Sequence, residues 1–404
     1  MDEKKENLKY RFLLGTHTMM FCVAFAYATS YLQNLNVPDG IIGLSISAFS
    51  LLGALFQFIL GRIADKSRRW NFKNLLILLA SVQLTSSLIL PFITSFSVLC
   101  TIFFGIVLVI TYAMLPLLNS VSFFYAARNL TVDFGIARGI GSTAYGVISI
   151  ILGKAVTMFG TNCIPFFAAA VSLALLIESL LLPSPAGFKV EDIKKQASVT
   201  AETDDKREKQ RPLLLRYPAF MLMIFGVTIV MVFHNMNITY LVRIIEKTGG
   251  NSTSLGIALG ISAVMEIPSL FFYGRLSKHA PSKILLLISC TMFMLKSLLF
   301  CVAGSVTAVY LIQGLSIGAF GLMAAAKVYY AHDTFDEKDI VTGQALVSMT
   351  EAVGMVMGSF FGGLIINAAG VNGILWGGFA ICATGTAFAA AGAFCKLKKR
   401  SVLL

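Results

Sequence analysis

The sequence predicts an all-α membrane protein whose twelve transmembrane helices form two six-helix, pseudo-symmetric bundles. Three observations point there. Only 13% of the 404 residues are charged and 57% are apolar, whereas about a quarter of a soluble chain is charged. Apolar runs recur along the whole length, each near the roughly 20 residues that a helix rising 1.5 Å per residue needs to cross a bilayer. A polar stretch near the middle separates two sets of runs, and a short motif recurs at matching positions on either side of it.

The first eleven residues are polar, and the apolar run that follows continues to about Leu35. It is too long for a signal-peptide core and lacks a small-residue cleavage site, so it reads as an uncleaved first span. Six runs precede the polar stretch, at 12–33, 41–60, 75–96, 98–124, 139–159 and 164–182. Six follow it, at 217–241, 255–273, 284–303, 306–329, 340–368 and 374–395. Residues 184–216 mix both signs of charge, lie between Pro183 and Pro218 and have few aromatics. Such a stretch cannot bury a core and reads as a cytoplasmic linker. It joins an N-terminal bundle (1–183) to a C-terminal bundle with a short basic tail (217–404). Gly61-Arg62 closes the second span of the first half, and Gly274-Arg275 closes the second span of the other. Parallel repeats of this kind surround a midplane binding site in membrane transporters.

Basic residues set the orientation. Lys4, Lys5, Lys9 and Arg11 precede span one, and Arg62, Lys66, Arg68, Arg69 and Lys73 link spans two and three. Arg275, Lys278 and Lys283 link spans eight and nine, and the tail carries Lys396, Lys398, Lys399 and Arg400. On the other side only Arg243 and Lys247 stand out. The positive-inside bias makes the basic side cytoplasmic, and an even span number places both termini there. The expected location is the cell membrane, multi-pass.

The net charge of +12 is spread over these loops and forms no patch, so no nucleic-acid partner is expected. No zinc spacing, phosphate loop or dinucleotide fingerprint occurs, so no metal or cofactor is implied and an enzyme is not predicted. The seven cysteines are scattered singly and read as small packing residues.

Residues 61–69, GRIADKSRR, resemble the loop signature of the major facilitator superfamily. Asp65, Lys66 and Arg69 match its positions, while Arg68 stands where the family has its second glycine. The resemblance implies close helix approach at Gly61 and a cytoplasmic gate formed with Asp65, Lys66 and Arg69. Residues 133–145, DFGIARGIGSTAY, resemble the start of helix five in the oligosaccharide–proton symporters, the lactose permease-like branch. There an arginine grips sugar hydroxyls and an aromatic seven residues on stacks on the ring; Arg138 and Tyr145 hold those positions. Seven residues make nearly two helical turns, so both side chains face one way. More loosely, Glu266 and Lys296 fall where that branch carries a sugar-binding glutamate and a coupling arginine. Departures are Ser120, beside Asn119, for its helix-four acid, His234 for its helix-seven acid, and no His–Glu pair in 314–321.

The resemblance implies the major facilitator fold and a monomer working by alternating access. It would take up a small polar solute (a sugar, oligosaccharide or nucleoside) coupled to a gradient of protons or another cation. Drug–proton export is the alternative, though exporters usually resemble a Gly-Pro pattern on span five and no proline stands there. A non-transporting membrane sensor on the same scaffold is a third, and it would usually need a sizeable soluble domain.

Ionisable groups at membrane depth are costly enough to mark function. Lys154 and Lys327 are expected to snorkel from span ends, and Glu178 to reach the interface. Glu266, Lys296 and Glu351 lie mid-run and are expected to pair, one of the acids carrying the coupling proton. His234, with Asn119, Asn235, Asn237, Tyr27, Tyr31 and Gln344, offers neutral donors and acceptors to an uncharged solute, and His17 reads as packing.

Overall fold

The computed structural model describes residues 3–66, 70–126, 128, 130, 134–183, 216–335 and 339–395. Asp65 and Lys66 end a helix but their side chains lie outside the described set, as do Arg68, Arg69, Asp133 and residues 184–215. Among the described residues the regular structure is helical throughout.

Among the described residues, ten helices are long and apolar enough to span a membrane. A further span is a bent pair, Glu3–Ala26 with Ala28–Asn34, at 44°. The final helix, Ile340–Phe394, has 55 residues, more than twice the bilayer requirement. It breaks at Gly370, whose φ of +63° is strained for any residue with a Cβ. Counting its two arms separately gives twelve spans, the predicted number.

Local chemistry sets the ends. Asn71 caps the helix Phe72–Ile89 by accepting from the Asn74 amide at 3.0 Å, and Asn251 with Ser254 forms a capping box ahead of Ser252–Leu276. Lys73 Nζ donates to the carbonyls of Leu180 (3.0 Å) and Leu182 (2.5 Å), closing the C-terminus of Ile164–Leu181. Span four is interrupted at Met114, two residues before Pro116, and continues as Leu115–Ala126. Large apolar side chains such as Phe92 (88%) and Leu311 (74%) are exposed, as the lipid-facing side of a membrane bundle requires. The interior is filled by aromatics that include Tyr31, stacked on Phe104 at 4.9 Å.

The glycines of span eleven let helices approach closely, as their number in the sequence suggests. Gly354, Gly358 and Gly362 face Met231, Val232 and Tyr240 of Pro218–Lys247. The two halves meet along spans two and eleven and along spans five and eight, mainly toward the face remote from the termini. There Thr29 Oγ1 donates to the Thr239 carbonyl (2.5 Å), Ser149 Oγ to the Gly256 carbonyl (3.0 Å) and the Thr253 amide to Thr157 Oγ1 (2.9 Å). Arg243 and Lys247, the two basic residues that interrupt the charge pattern, are occupied here, by Asp39 and Glu246 and by Asn372 respectively.

Gly43 lies in this seam. A Cβ there would stand 2.4 Å from Tyr240 Oη, 2.5 Å from the Ser359 carbonyl oxygen and 2.7 Å from Gly363 Cα. Gly43→Val is therefore expected to part the halves at this face, costing the observed state about 1–3 kcal/mol. Spin-label distances between spans two and eleven should lengthen; unchanged distances would refute the assignment of this contact.

Candidate functional site

Between the halves lies a cavity of about 490 Å³. Helix irregularities face it. Span one makes a π turn at Cys22–Ala26 and breaks at Tyr27, presenting Phe21 and Phe25 to the cavity. Span ten is interrupted between Val306–Gly314 and Phe320–Thr334 by a 3-10 turn, Leu315–Ile317, presenting Gln313 and Phe320. Non-helical backbone at membrane depth is tolerated where it lines a cavity. Pro268, inside Ser252–Leu276, lacks an amide hydrogen, and the adjacent Ser269 hydroxyl donates to the Ile317 carbonyl, fastening span eight to the break.

The N-terminal half contributes Arg138 and Tyr145, both on the cavity wall, as their spacing predicts. The helix carrying them begins at Phe134, so Arg138 stands a full turn inside it instead of at its edge. Asn119 and Gln57 join them, Gln57 Nε2 donating to the Tyr112 carbonyl at 2.7 Å. His17 also reaches the wall, its Nε2 2.8 Å from the Thr111 carbonyl oxygen. Behind it Gln83 Nε2 donates to Thr111 Oγ1 at 2.8 Å, extending a polar chain into the bundle.

The C-terminal half contributes His234, Glu266, Lys296 and Glu351. His234 lies nearly parallel to Phe320 (4.7 Å, 17°) and edge-on to Phe293 (5.3 Å). Lys296 Nζ donates to Ser316 Oγ at 2.8 Å, and that hydroxyl shares a 2.7 Å hydrogen bond with Ser262. Glu351 forms a salt bridge with Lys327.

That last contact corrects two expectations. Lys327 does not snorkel: it is 4% exposed and pairs with Glu351, which Lys296 does not reach. The apolar run ends near Tyr329, which makes Lys327 look terminal, but the helix continues to Thr334, leaving Lys327 two turns inside. Glu266 and Lys296 share the cavity wall without a salt bridge within 4.0 Å among the described residues.

Other expectations change as well. Glu178 turns inward, accepting from Thr16 Oγ1 at 2.8 Å, while its Oε2 is buried without a hydrogen-bond partner among the described residues. Tyr27 donates to the Ser149 carbonyl (2.7 Å), Gln344 Nε2 to the Val328 carbonyl (2.9 Å), and Tyr31 is packed in the core, so none of these three reaches the cavity. Asn235 and Asn237 do. At Gly61 a Cβ would meet nothing within 4 Å among the described residues, so the close helix approach expected there is not seen among them. The remaining gate residues, Asp65, Lys66 and Arg69, lie outside the described side chains. Sequence reading passed over Gln57, Gln313 and the cavity-facing role of His17. Mid-span polarity was the available signal, yet it cannot say which way a helix is rotated.

Two bundles of membrane helices around a shared cavity that holds several ionisable side chains define a membrane protein of the major facilitator fold. Solved structures agree. The nucleoside transporter NupG superposes with a TM-score of 0.73 at 16% identity, covering 98% of this chain and 100% of NupG. A POT family transporter in complex with a thioalcohol-conjugated peptide gives 0.72 at 13%, covering 96% of each chain. An auto-inhibited POT family peptide transporter gives 0.69 at 10%, covering 95% of this chain and 96% of that one. No curated protein matches the sequence significantly. The chain belongs to the MFS_1 like family, whose model matches residues 18–374.

Proposed function

We propose that this protein is a proton-coupled secondary transporter that takes up a small polar organic solute by alternating access. The observation that carries the reading is the cavity itself: both halves line it, and it holds Arg138, Lys296, Glu266 and Glu351 at membrane depth. Ionisable groups are retained there at high cost only when they face a water-filled path or one another. A cavity shared by two halves that close at one face is the arrangement alternating access needs. The positive-inside bias supports an orientation with both termini in the cytoplasm; the cell membrane is the proposed location and a monomer the proposed working unit. Sugars and nucleosides are among the solutes to test, given the resemblance of 133–145 to the oligosaccharide–proton symporters and the fold shared with a nucleoside transporter.

Coupling is assigned to Glu266 and Glu351. A carboxylate that gains a proton loses its attraction for a neighbouring ammonium, so protonation and helix rearrangement become linked. Glu266→Gln and Glu351→Gln are each expected to abolish uphill accumulation in proteoliposomes with an imposed pH gradient, while leaving downhill exchange measurable. If both variants still concentrate solute as the wild type does, the coupling assignment is wrong.

A further inference from the structure

We infer that the solute held in the central cavity is a small organic acid, bound as its carboxylate between Arg138 of one half and Lys296 of the other; the inference rests on the transport reading above. Lys296 is 5% exposed, and among the described residues its only hydrogen bond goes to the neutral hydroxyl of Ser316. Arg138 lines the same cavity and makes no hydrogen bond or salt bridge among the described residues. A buried cation with no carboxylate in direct contact is only partly compensated by charges farther off, and one that receives an anionic ligand recovers more of that cost on binding. Arg138 offers a planar fork matched to a carboxylate, and Lys296 a point charge.

The charge balance points the same way. Lys327 and Glu351 neutralise each other. Glu266 lies within electrostatic reach of both Arg138 and Lys296 and cannot neutralise two cations. With all these groups ionised the site carries one positive charge in excess, which a neutral sugar or nucleoside leaves in place and a monoanion removes. The anion neutralises the site while Glu266 stays ionised; in the translocating state a proton on Glu266 restores the single excess charge of the empty carrier, so loaded and empty carriers move the same charge through the membrane field. Uptake of the acid should therefore follow the pH gradient and ignore the membrane potential.

The walls suit a flat body attached to that carboxylate. Phe21 and Phe25 stack at 4.4 Å, Tyr112 meets Phe25 edge-on at 6.0 Å, and His234 covers Phe320. Faces of this kind accept aromatic or planar groups.

The test is binding to the purified full-length protein, read by thermal shift and calorimetry with matched pairs, benzoate against benzamide and glucuronate against glucose, with uridine alongside. The expected result is stabilisation by an acid and little by its neutral partner. Arg138→Gln and Lys296→Gln should each weaken that binding about tenfold or more, while Lys296→Arg, which keeps the cation and controls for misfolding, retains most of it. Equal stabilisation by a neutral partner, no stabilisation by either acid, or wild-type acid binding in both glutamine variants would overturn the inference. Stabilisation and uptake of uridine or glucose alone would overturn the acid and leave the transport reading standing. Acid binding without uptake in proteoliposomes would do the reverse.

Discussion

Glu351→Gln is expected to be the most damaging single substitution for stability in the cavity wall. Lys327 is 4% exposed and its salt-bridge partner is Glu351. Removing the carboxylate leaves an ammonium in a low-dielectric wall; breaking a fully buried pair costs about 3–5 kcal/mol, and the cavity exposure of Glu351 brings the expected loss below that range. The reverse substitution should be milder. The Glu351 side chain is 42% exposed, toward the cavity, so water can solvate it once Lys327→Gln has removed its partner. The double variant, with neither charge, should recover most of the lost stability while still failing to accumulate solute uphill. Thermal unfolding in detergent of the two single variants and the double variant gives the coupling energy directly. Equal losses from the two single variants would mean that the exposure asymmetry does not control the pair, and no loss from Glu351→Gln would mean that Lys327 has another partner.

The second large effect is expected at the opposite face. Arg243 Nη2 and Nε donate to Asp39 Oδ2 at 2.8 and 3.2 Å, and Gln33 Nε2 donates to Asp39 Oδ1 at 2.8 Å. The Tyr240 hydroxyl adds a 3.1 Å hydrogen bond to the Asp39 carbonyl. Asp39 begins span two and Arg243 lies near the end of span seven, so this cluster latches one half to the other. Its side chains are partly exposed (35% and 18%), which discounts the pair to about 1 kcal/mol. A loss of that size changes a two-state ratio by about fivefold. Asp39→Asn should thus shift the protein toward the state open at this face, read as increased thiol labelling at cysteines placed along the cavity. Exchanging the charges, with Asp39→Arg and Arg243→Asp together, should restore closure. If the exchange leaves labelling as high as in Asp39→Asn, the ion pair is not the latch. Gly43→Val acts in the same seam and touches the same Tyr240, so its effect should not add simply to that of Asp39→Asn.

How far the site could be read from residues alone is clearest in span ten. Lys327 was visible as a charge in an apolar run, but a boundary five residues short made an end anchor of a core group. Glu351 was recognised as costly, and its partner was assigned to the wrong lysine, because hydropathy ranks depth and carries no information about rotation or neighbours. Arg138 and Tyr145 fared better. Their spacing is a property of one helix, and a helix keeps residues seven apart on one face wherever it packs.

What the sequence determined by itself was the solvent, the helical state and the span count, each a one-dimensional property. Water-excluded backbone must satisfy its hydrogen bonds within its own segment, so apolar runs of bilayer length become helices. Even the bend at Gly370 follows from a residue able to adopt positive φ. Tertiary structure alone decided which charges share a cavity. Lys327 meets Glu351 across 24 positions and Arg243 meets Asp39 across 204, because the rotation of each helix about its axis is set by packing against its neighbours, glycine seams above all.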